Sequence, residues 1–167
     1  MPPDAIEAIG PDGTRLRLEF IWLSDRYGHC ISRIDASGAI QPLLESIEGS
    51  PHDNWPPSPP LQSLTIEPRN GCPVALLLGM AGPTHWSASI EAAADNAAIH
   101  FDIACRHGTN PGSLGSAYRQ FARSLELLDF RAVSANLLQQ DGEVSIQPTA
   151  TSFSSGTTRW RFTLSIR

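Results

Sequence analysis

The sequence predicts a mainly β protein: an antiparallel meander of about nine or ten strands, closed as a barrel or folded as a two-layer sandwich, with one short helix near residues 114–128. Residues 85–106 alternate between apolar and polar side chains on both sides of a central turn, which is typical of a half-buried antiparallel pair. Similar alternation recurs along the chain, most regularly over residues 14–23 and 158–167. Short connections that contain Gly, Asn or Asp favour hairpins between these runs.

The N-terminal part is predicted to form a loose arm over residues 1–13, followed by a first hairpin. Its strands cover residues 14–23 and 29–35, with a turn at residues 25–28. Charge pairing and apolar pairing agree on one register, and this register predicts four cross-strand pairs. The pairs are Arg17–Asp35, Glu19–Arg33, Trp22–Cys30 and Leu18–Ile34. A third strand follows over residues 39–47.

The Pro-rich segment at residues 49–60 interrupts the strands, because its prolines fit neither a helix nor a central strand. Beyond it, residues 61–67 and 74–80 are predicted to form a hairpin with its turn at Asn70 and Gly71. The run at residues 74–78 is apolar on both faces. It therefore predicts a central strand that is covered on both sides.

The most detailed prediction concerns the hairpin at residues 85–106, with its turn at Asp95 and Asn96, two residue types that tolerate positive φ. The register that follows places three polar pairs on one face: Glu91–His100, Ser89–Asp102 and His85–Arg106. The other face is entirely apolar: Trp86, Ala88, Ile90, Ala92, Ile99, Phe101, Ile103 and Cys105. This pattern specifies the register, since a slip by one residue would turn every side chain to the wrong face.

The apolar period changes after residue 113 and predicts the only helix of the chain. The residues on its apolar face are Leu114, Tyr118, Phe121, Ala122, Leu125 and Leu128, and Ser113 or Ser116 is the candidate N-cap. Strands return over residues 132–138 and 143–149, with a turn at Asp141 and Gly142. The last strand, residues 158–167, is apolar enough to require a partner, and the N-terminal strand is the candidate.

Length and composition limit the classes of function. A chain of 167 residues fits a single domain over residues 1–167 and can bury a real core. All twelve basic residues are arginine, so Schiff-base chemistry on a lysine and a phosphate-binding P-loop are excluded. The formal net charge of −5 argues against nucleic-acid binding.

The three cysteines, Cys30, Cys72 and Cys105, contain no Cys-x-x-Cys pair, so a thioredoxin-like motif and a zinc ribbon are excluded. Cys30 and Cys105 occupy apolar-face positions, which suits buried free thiols in a reducing compartment. The first residues lack the charged start and apolar run of a signal peptide, and no apolar run is long enough for a membrane helix. We therefore expect a cytoplasmic protein without a membrane partner.

Residues of the 85–106 hairpin provide one candidate site. His100 and Asp102 point the same way from one strand, and Glu91 and His85 lie on the neighbouring strand. Imidazole with carboxylate suits iron, zinc or manganese, but no second histidine follows His107. The alternative is a solvated polar face, and no cofactor is predicted.

The Pro-rich segment provides the other candidate. Stiff polyproline segments bind to aromatic grooves of other proteins, which makes this segment a candidate partner-binding surface. Its residues are Trp55, Pro56, Pro57, Pro59 and Pro60. The alternative is that Trp55 folds back onto the domain as a lid.

These observations favour a non-enzymatic module that binds another protein or assembles with copies of itself, because the chain carries no catalytic signature. Two alternatives stay open. One is a barrel that binds a small ligand in its interior, and the other is a metal-dependent enzyme that uses the polar face of the 85–106 hairpin.

Overall fold

The computed structural model describes residues 4–167 as a sandwich of two antiparallel sheets and one short helix. In chain order the elements are β1 (Ala5–Ile9), β2 (Arg15–Trp22), β3 (Tyr27–Ile34), β4 (Ile40–Ser46), β5 (Ser63–Arg69), β6 (Cys72–Ala81), β7 (Thr84–Ala92), β8 (Ala98–His107), β9 (Ser116–Gln120), α1 (Ser124–Leu127), β10 (Leu128–Ala132), β11 (Ala135–Gln140), β12 (Glu143–Pro148) and β13 (Gly156–Ile166). No helix in this part of the chain is both long enough and apolar enough to cross a bilayer.

The topology consists of two meanders joined by long-range pairs. The seven-stranded sheet has the order β1-β2-β3-β4-β9-β12-β11, and the six-stranded sheet has the order β10-β13-β8-β7-β6-β5. Strands β2–β4 and β5–β8 each pair consecutively, as the sequence predicts, β1 adds to β2, and β9 and β13 then extend the two sheets. The sheets are not closed into a barrel, so the sandwich alternative is correct.

The core lies between the two sheets and consists of the inward-facing residues of both. Leu18 and Ile31 of one sheet and Trp160 of the other are fully buried. Phe101 and Phe162 stack across β8 and β13 with ring centroids 4.6 Å apart. Each such side chain contributes on the order of 1.5–3 kcal/mol by leaving water.

The predicted register of the 85–106 hairpin is confirmed. In β7 and β8, Glu91 pairs with His100, Ser89 with Asp102, and His85 with Arg106. The predicted positive-φ turn is wrong, because Asp95 and Asn96 are absent from the positive-φ residues of the described chain. Residues 93–97 instead form a loop, in which Ala93 N donates to Ala98 O at 2.9 Å. The apolar face alone was enough to specify this register.

The predicted register of the first hairpin is wrong by three residues. Glu19 pairs with Cys30, and Leu18 pairs with Ile31. The turn is tighter than predicted, because Ser24 adopts a φ of 70° and β3 already begins at Tyr27. As a consequence Cys30 lies on the outer face beside Glu19, and not on the apolar face.

The N-terminal arm is a strand where it was predicted to be loose. β1 pairs with β2 along its whole length, and Ile6 and Ala8 are only 1% exposed. Glu7 forms ion pairs with Arg15 at 3.2 Å and with Arg17 at 3.1 Å. The arm is therefore the edge of the seven-stranded sheet, while the prediction for residues 1–3 lies outside the described residues.

The predicted helix is much shorter than its apolar pattern suggests. Residues 116–120 form β9, which fills the place between β4 and β12, and α1 covers only Ser124–Leu127. Residues four apart, such as Leu114 and Tyr118, share a face in both a helix and a strand, so this spacing was ambiguous. Neither predicted cap is used, because the residue before α1 is Arg123 with a φ of 63° and no side-chain cap.

The structure confirms one of three further strand predictions and contradicts the other two. The turn between β5 and β6 is confirmed, with φ of 52° at Asn70 and 81° at Gly71. The expected cover on both faces of β6 is wrong, because Leu78 is 62% exposed on the outer face. The last strand, β13, pairs with β8 and β10 and not with the N-terminal strand.

The Pro-rich segment forms no helix and no strand, as predicted, and it packs against the sandwich. A Cβ atom at Gly79 would overlap the carbonyl oxygen of Pro60, so glycine is required where the segment crosses β6. At Gly112 a Cβ atom would overlap the ring of Trp55. These two close approaches hold the segment against the domain.

Candidate functional site

A long depression follows β7 and β8 on the outer face of the six-stranded sheet, and we call it the outer groove. It comprises two adjoining cavities of about 540 and 720 Å³, which share Leu78, Ser87, Ala104 and other residues. The register explains its shape, because Ser87, Ser89 and Ala104 in the middle of β7 and β8 have short side chains, while the outward residues of β6 and Arg159 of β13 are long. The floor consists of Ser87, Ser89 and Ala104, the apolar wall of Leu76, Leu78 and Met80, and the polar wall of Arg106, Thr157 and Arg159.

The apolar wall is the unusual feature of this face. Leu78 is 62% exposed, Met80 is 47% exposed, and Leu76 is half-buried. All three side chains leave β6 on the same side, since they are two residues apart. Single exposed apolar residues are common on proteins, whereas a contiguous row of them marks a binding surface.

The polar wall differs in charge from the rest of the molecule. Arg159 donates from Nε to Oδ1 of Asp102 at 2.6 Å and from Nη2 to Oδ2 of the same carboxylate. This pairing holds the pKa of Arg159 above its ordinary value. Arg106 is exposed and forms no ion pair within residues 4–167, and its cross-strand neighbour is His85.

The predicted metal-site residues lie on this same face but do not assemble into a site. His100 Nδ1 lies 2.8 Å from Oγ1 of Thr163, and Asp102 is held by Arg159. Within residues 4–167, no three His, Cys, Asp or Glu side chains come together to hold a metal ion. The geometry therefore gives no support to the metal-site hypothesis that rested on His85, Glu91, His100 and Asp102.

The predicted partner-binding residues of the Pro-rich segment are largely covered. Trp55 is half-buried and packs edge-on against Trp86, with ring centroids 6.2 Å apart. Pro56, Pro59 and Pro60 are buried, and Pro57 is exposed. The segment thus follows the alternative in which Trp55 packs on the domain. Only Pro57 and part of Trp55 are accessible to a partner.

A second group of polar residues lies between the sheets, and we call it the inner polar cluster: His29, Glu48, Ser58, Ser116 and Tyr118. His29 Nε2 lies 2.9 Å from Oη of Tyr118. The hydroxyl of Ser58 donates to Ala117 O and accepts from Ala117 N, and Ser116 Oγ accepts from Nε1 of Trp160 at 3.3 Å. The cavity that these residues line has a volume of about 10 Å³, room for a single water at most.

Burial shifts the pKa values of the titratable residues in this cluster. Desolvation lowers the pKa of His29 to about 4 and raises the pKa of Glu48 to about 7. It also raises the pKa of the Tyr118 hydroxyl. Glu48 Oε2 and Arg26 Nη1 are shut off from solvent and have no hydrogen-bond partner among residues 4–167. His29 and Tyr118 are therefore uncharged at neutral pH, and the cavity is too small for a substrate, so the geometry suits a structural role.

Sequence reasoning missed both the outer groove and the inner polar cluster. The signal for the groove was present in the apolar run of β6, but that run was interpreted as a strand covered on both faces. The signal for the cluster was hidden by the wrong register of β2 and β3, which turned His29 outward.

No protein-family model matches this chain, and neither a curated protein nor a solved structure is similar enough to it to indicate a relationship.

Proposed function

We propose that this protein is a non-enzymatic binding module whose outer groove binds an extended segment of another protein. The observation that carries the proposal is the continuous row of Leu76, Leu78 and Met80 on the outer face of the sheet, of which Leu78 and Met80 are exposed and Leu76 is half-buried. These apolar side chains are in contact with water in the free protein. A partner that covers them would contribute the hydrophobic free energy of their burial.

The shape of the groove favours a protein segment over a small molecule. Pockets for small molecules enclose most of the ligand surface, whereas the outer groove is open along its length. An extended chain repeats its side chains on one side about every 6.8 Å, which is also the spacing of outward residues such as Leu76 and Leu78 along β6. An extended segment parallel to β6 can therefore match the whole wall.

Binding inside the sandwich has less support, because the cavity at the inner polar cluster measures about 10 Å³. This volume argues against the alternative of a small ligand in the interior. The cytoplasmic location stays a prediction from the cysteine pattern and the N-terminal residues.

The apolar wall can supply part of the free energy of binding. Covering the exposed part of a leucine side chain contributes on the order of 1–2 kcal/mol. A few such anchors at the centre of an interface supply most of the binding energy of typical complexes. Leu78 is the central anchor here, since it lies in both cavities of the groove.

A phage-displayed library of random short peptides, selected on the folded protein, tests this proposal. We expect enriched peptides whose affinity falls about tenfold or more in the Leu78→Asn variant. Leu138→Asn is the matched control, because Leu138 is 53% exposed but lies in the other sheet.

Two results would contradict the proposal. One is a selection without any enriched peptide, or with peptides that bind the Leu78→Asn variant as well as the original protein. The other is a stable dimer, measured by light scattering, that dissociates in the Leu78→Asn variant, which would assign the groove to self-assembly.

A further inference from the structure

We infer that the segment bound in the outer groove is acidic, with carboxylates and apolar side chains at alternate positions. This inference rests on the proposed function and specifies the partner of the same groove. It follows from the contrast between the two walls, one apolar and one basic.

The basic character of the polar wall comes from Arg106. Its guanidinium forms no ion pair within the described part of the chain, and the cavity beside it has no Asp or Glu in its lining. Arg159 lies further along the same wall, but the carboxylate of Asp102 already neutralises its charge. The groove therefore carries one uncompensated positive charge in a protein whose net charge is −5.

The opposite wall offers no charged partner, because the residues that line the cavities beside β6 are the uncharged Gln62, Ser63 and Thr65. The outward side chains of β6 in the groove are Leu76, Leu78 and Met80. The floor between the walls consists of Ser87, Ser89 and Ala104, whose short side chains let a backbone approach the sheet closely. A segment that lies on this floor meets hydrocarbon on one side and a guanidinium on the other.

An extended chain presents successive side chains to opposite sides. When such a chain lies along the floor, every second residue points to the apolar wall and the residues between point to the polar wall. A carboxylate on the polar side can accept two parallel hydrogen bonds from Arg106, a geometry that guanidinium and carboxylate favour. Alternation of apolar and acidic residues is thus the pattern that fits both walls.

The rest of the surface makes this preference selective. With a net charge of −5, the molecule as a whole repels acidic chains, and Arg106 attracts a carboxylate only within about 10 Å at ordinary salt. A basic segment would instead be attracted elsewhere and would be repelled by Arg106. The positive charge of the groove therefore favours acidic segments over basic ones.

Three fluorescein-labelled peptides test the inference by fluorescence anisotropy: alternating leucine and glutamate, alternating leucine and glutamine, and alternating leucine and lysine. We expect the glutamate peptide to bind about fivefold more tightly than the glutamine peptide, and the lysine peptide to bind most weakly. In the Arg106→Gln variant the ratio of the affinity for the glutamate peptide to that for the glutamine peptide should fall about threefold. Arg119→Gln, an exposed arginine of the other sheet, is the control.

The Leu78→Asn variant distinguishes a failure of the acidic preference from a failure of the groove as a binding site. Equal affinities for the glutamate and glutamine peptides, both weakened by Leu78→Asn, would overturn the acidic preference and leave the binding groove in place. Two outcomes would overturn both the binding groove and its acidic preference. One is that the affinities for all three peptides are unchanged in Leu78→Asn and in Arg106→Gln, and the other is that no peptide binds.

Discussion

His29 Nε2 lies 2.9 Å from Oη of Tyr118, and this contact joins β3 to β9 across the intervening strand β4. Phe20 lies against the same imidazole ring, with ring centroids 6.2 Å apart. A polar contact thus joins two strands of the seven-stranded sheet on its inner side, within the inner polar cluster.

Tyr118→Phe removes the hydroxyl and leaves the ring in place. We expect a loss of about 1–2 kcal/mol in the free energy of unfolding, because one buried nitrogen of His29 loses its partner. Urea denaturation measures this loss. Tyr27→Phe is the matched control, since Tyr27 is half-buried without a side-chain hydrogen bond in the described residues, and it should change stability by less than about 0.5 kcal/mol. Equal effects of the two substitutions would contradict the role given to the contact.

The inner polar cluster predicts two opposite pH dependences. Folding lowers the pKa of His29 from 6.5 to about 4, so the unfolded chain binds more protons in this window and His29 lowers stability as the pH falls through it. Folding raises the pKa of Glu48 from 4.5 to about 7, so the folded chain binds more protons and Glu48 lowers stability as the pH rises through that window.

Single variants separate these two contributions. Relative to the original protein, Glu48→Gln should gain stability progressively from pH 4.5 to 7, and His29→Gln should gain stability progressively as the pH falls from 6.5 to 4. Denaturation curves at a series of pH values measure both differences. A constant difference across pH for either variant would show that its residue does not titrate as described.

Gly79→Ala should destabilise the protein by about 2 kcal/mol or more, because the new Cβ would overlap the carbonyl oxygen of Pro60 and force the Pro-rich segment away from β6. Gly156→Ala in β13 is the control, since a Cβ there meets open space. Thermal denaturation reports stability. A change in tryptophan fluorescence that is absent from a Trp55→Phe background reports displacement of the segment, because the chain has four tryptophans. Equal melting temperatures for the two variants would contradict the close approach.

Asp102→Asn should free Arg159 and raise the affinity of the outer groove for the leucine–glutamate peptide about threefold. Stability should fall by less than about 1 kcal/mol, because the ion pair is exposed. Asp129→Asn breaks a comparable exposed pair with Arg167 on the same sheet and is expected to leave peptide affinity unchanged. Anisotropy titrations decide the matter, and a weaker complex after Asp102→Asn would assign Asp102 itself to ligand binding.

The three free cysteines should differ in reactivity. Cys105 is fully buried, and burial raises the pKa of its thiol to about 12, whereas Cys30 and Cys72 are half-buried. Iodoacetamide at pH 8 should therefore modify Cys30 and Cys72 in the folded protein, and Cys105 only after unfolding in urea. Peptide mass spectrometry identifies the modified residues, and rapid modification of Cys105 without urea would contradict the packing of β8.

Hairpin registers show where sequence reasoning succeeded and where it failed. The pairing of Ile90 with Phe101 was predictable, because every apolar residue of β7 and β8 lies on one face and a slip would expose them all. The pairing of Leu18 with Ile31 was not, because charge pairing pointed to partners within the hairpin. In the structure Arg17 pairs instead with Glu7 of β1, a strand that the sequence did not predict.

The sequence by itself determined the β class, the hairpins of β5–β8 and the absence of lysine chemistry, because these depend on local alternation, turn residues and composition. Only the tertiary structure decided that the sheets form a sandwich, that residues 116–120 are a strand and that the outer face of β6 stays open. The physical reason is that these features depend on pairs distant in sequence, such as β4 with β9 and β8 with β13. Alternation within a strand distinguishes its two faces, but it does not say which face another sheet will cover.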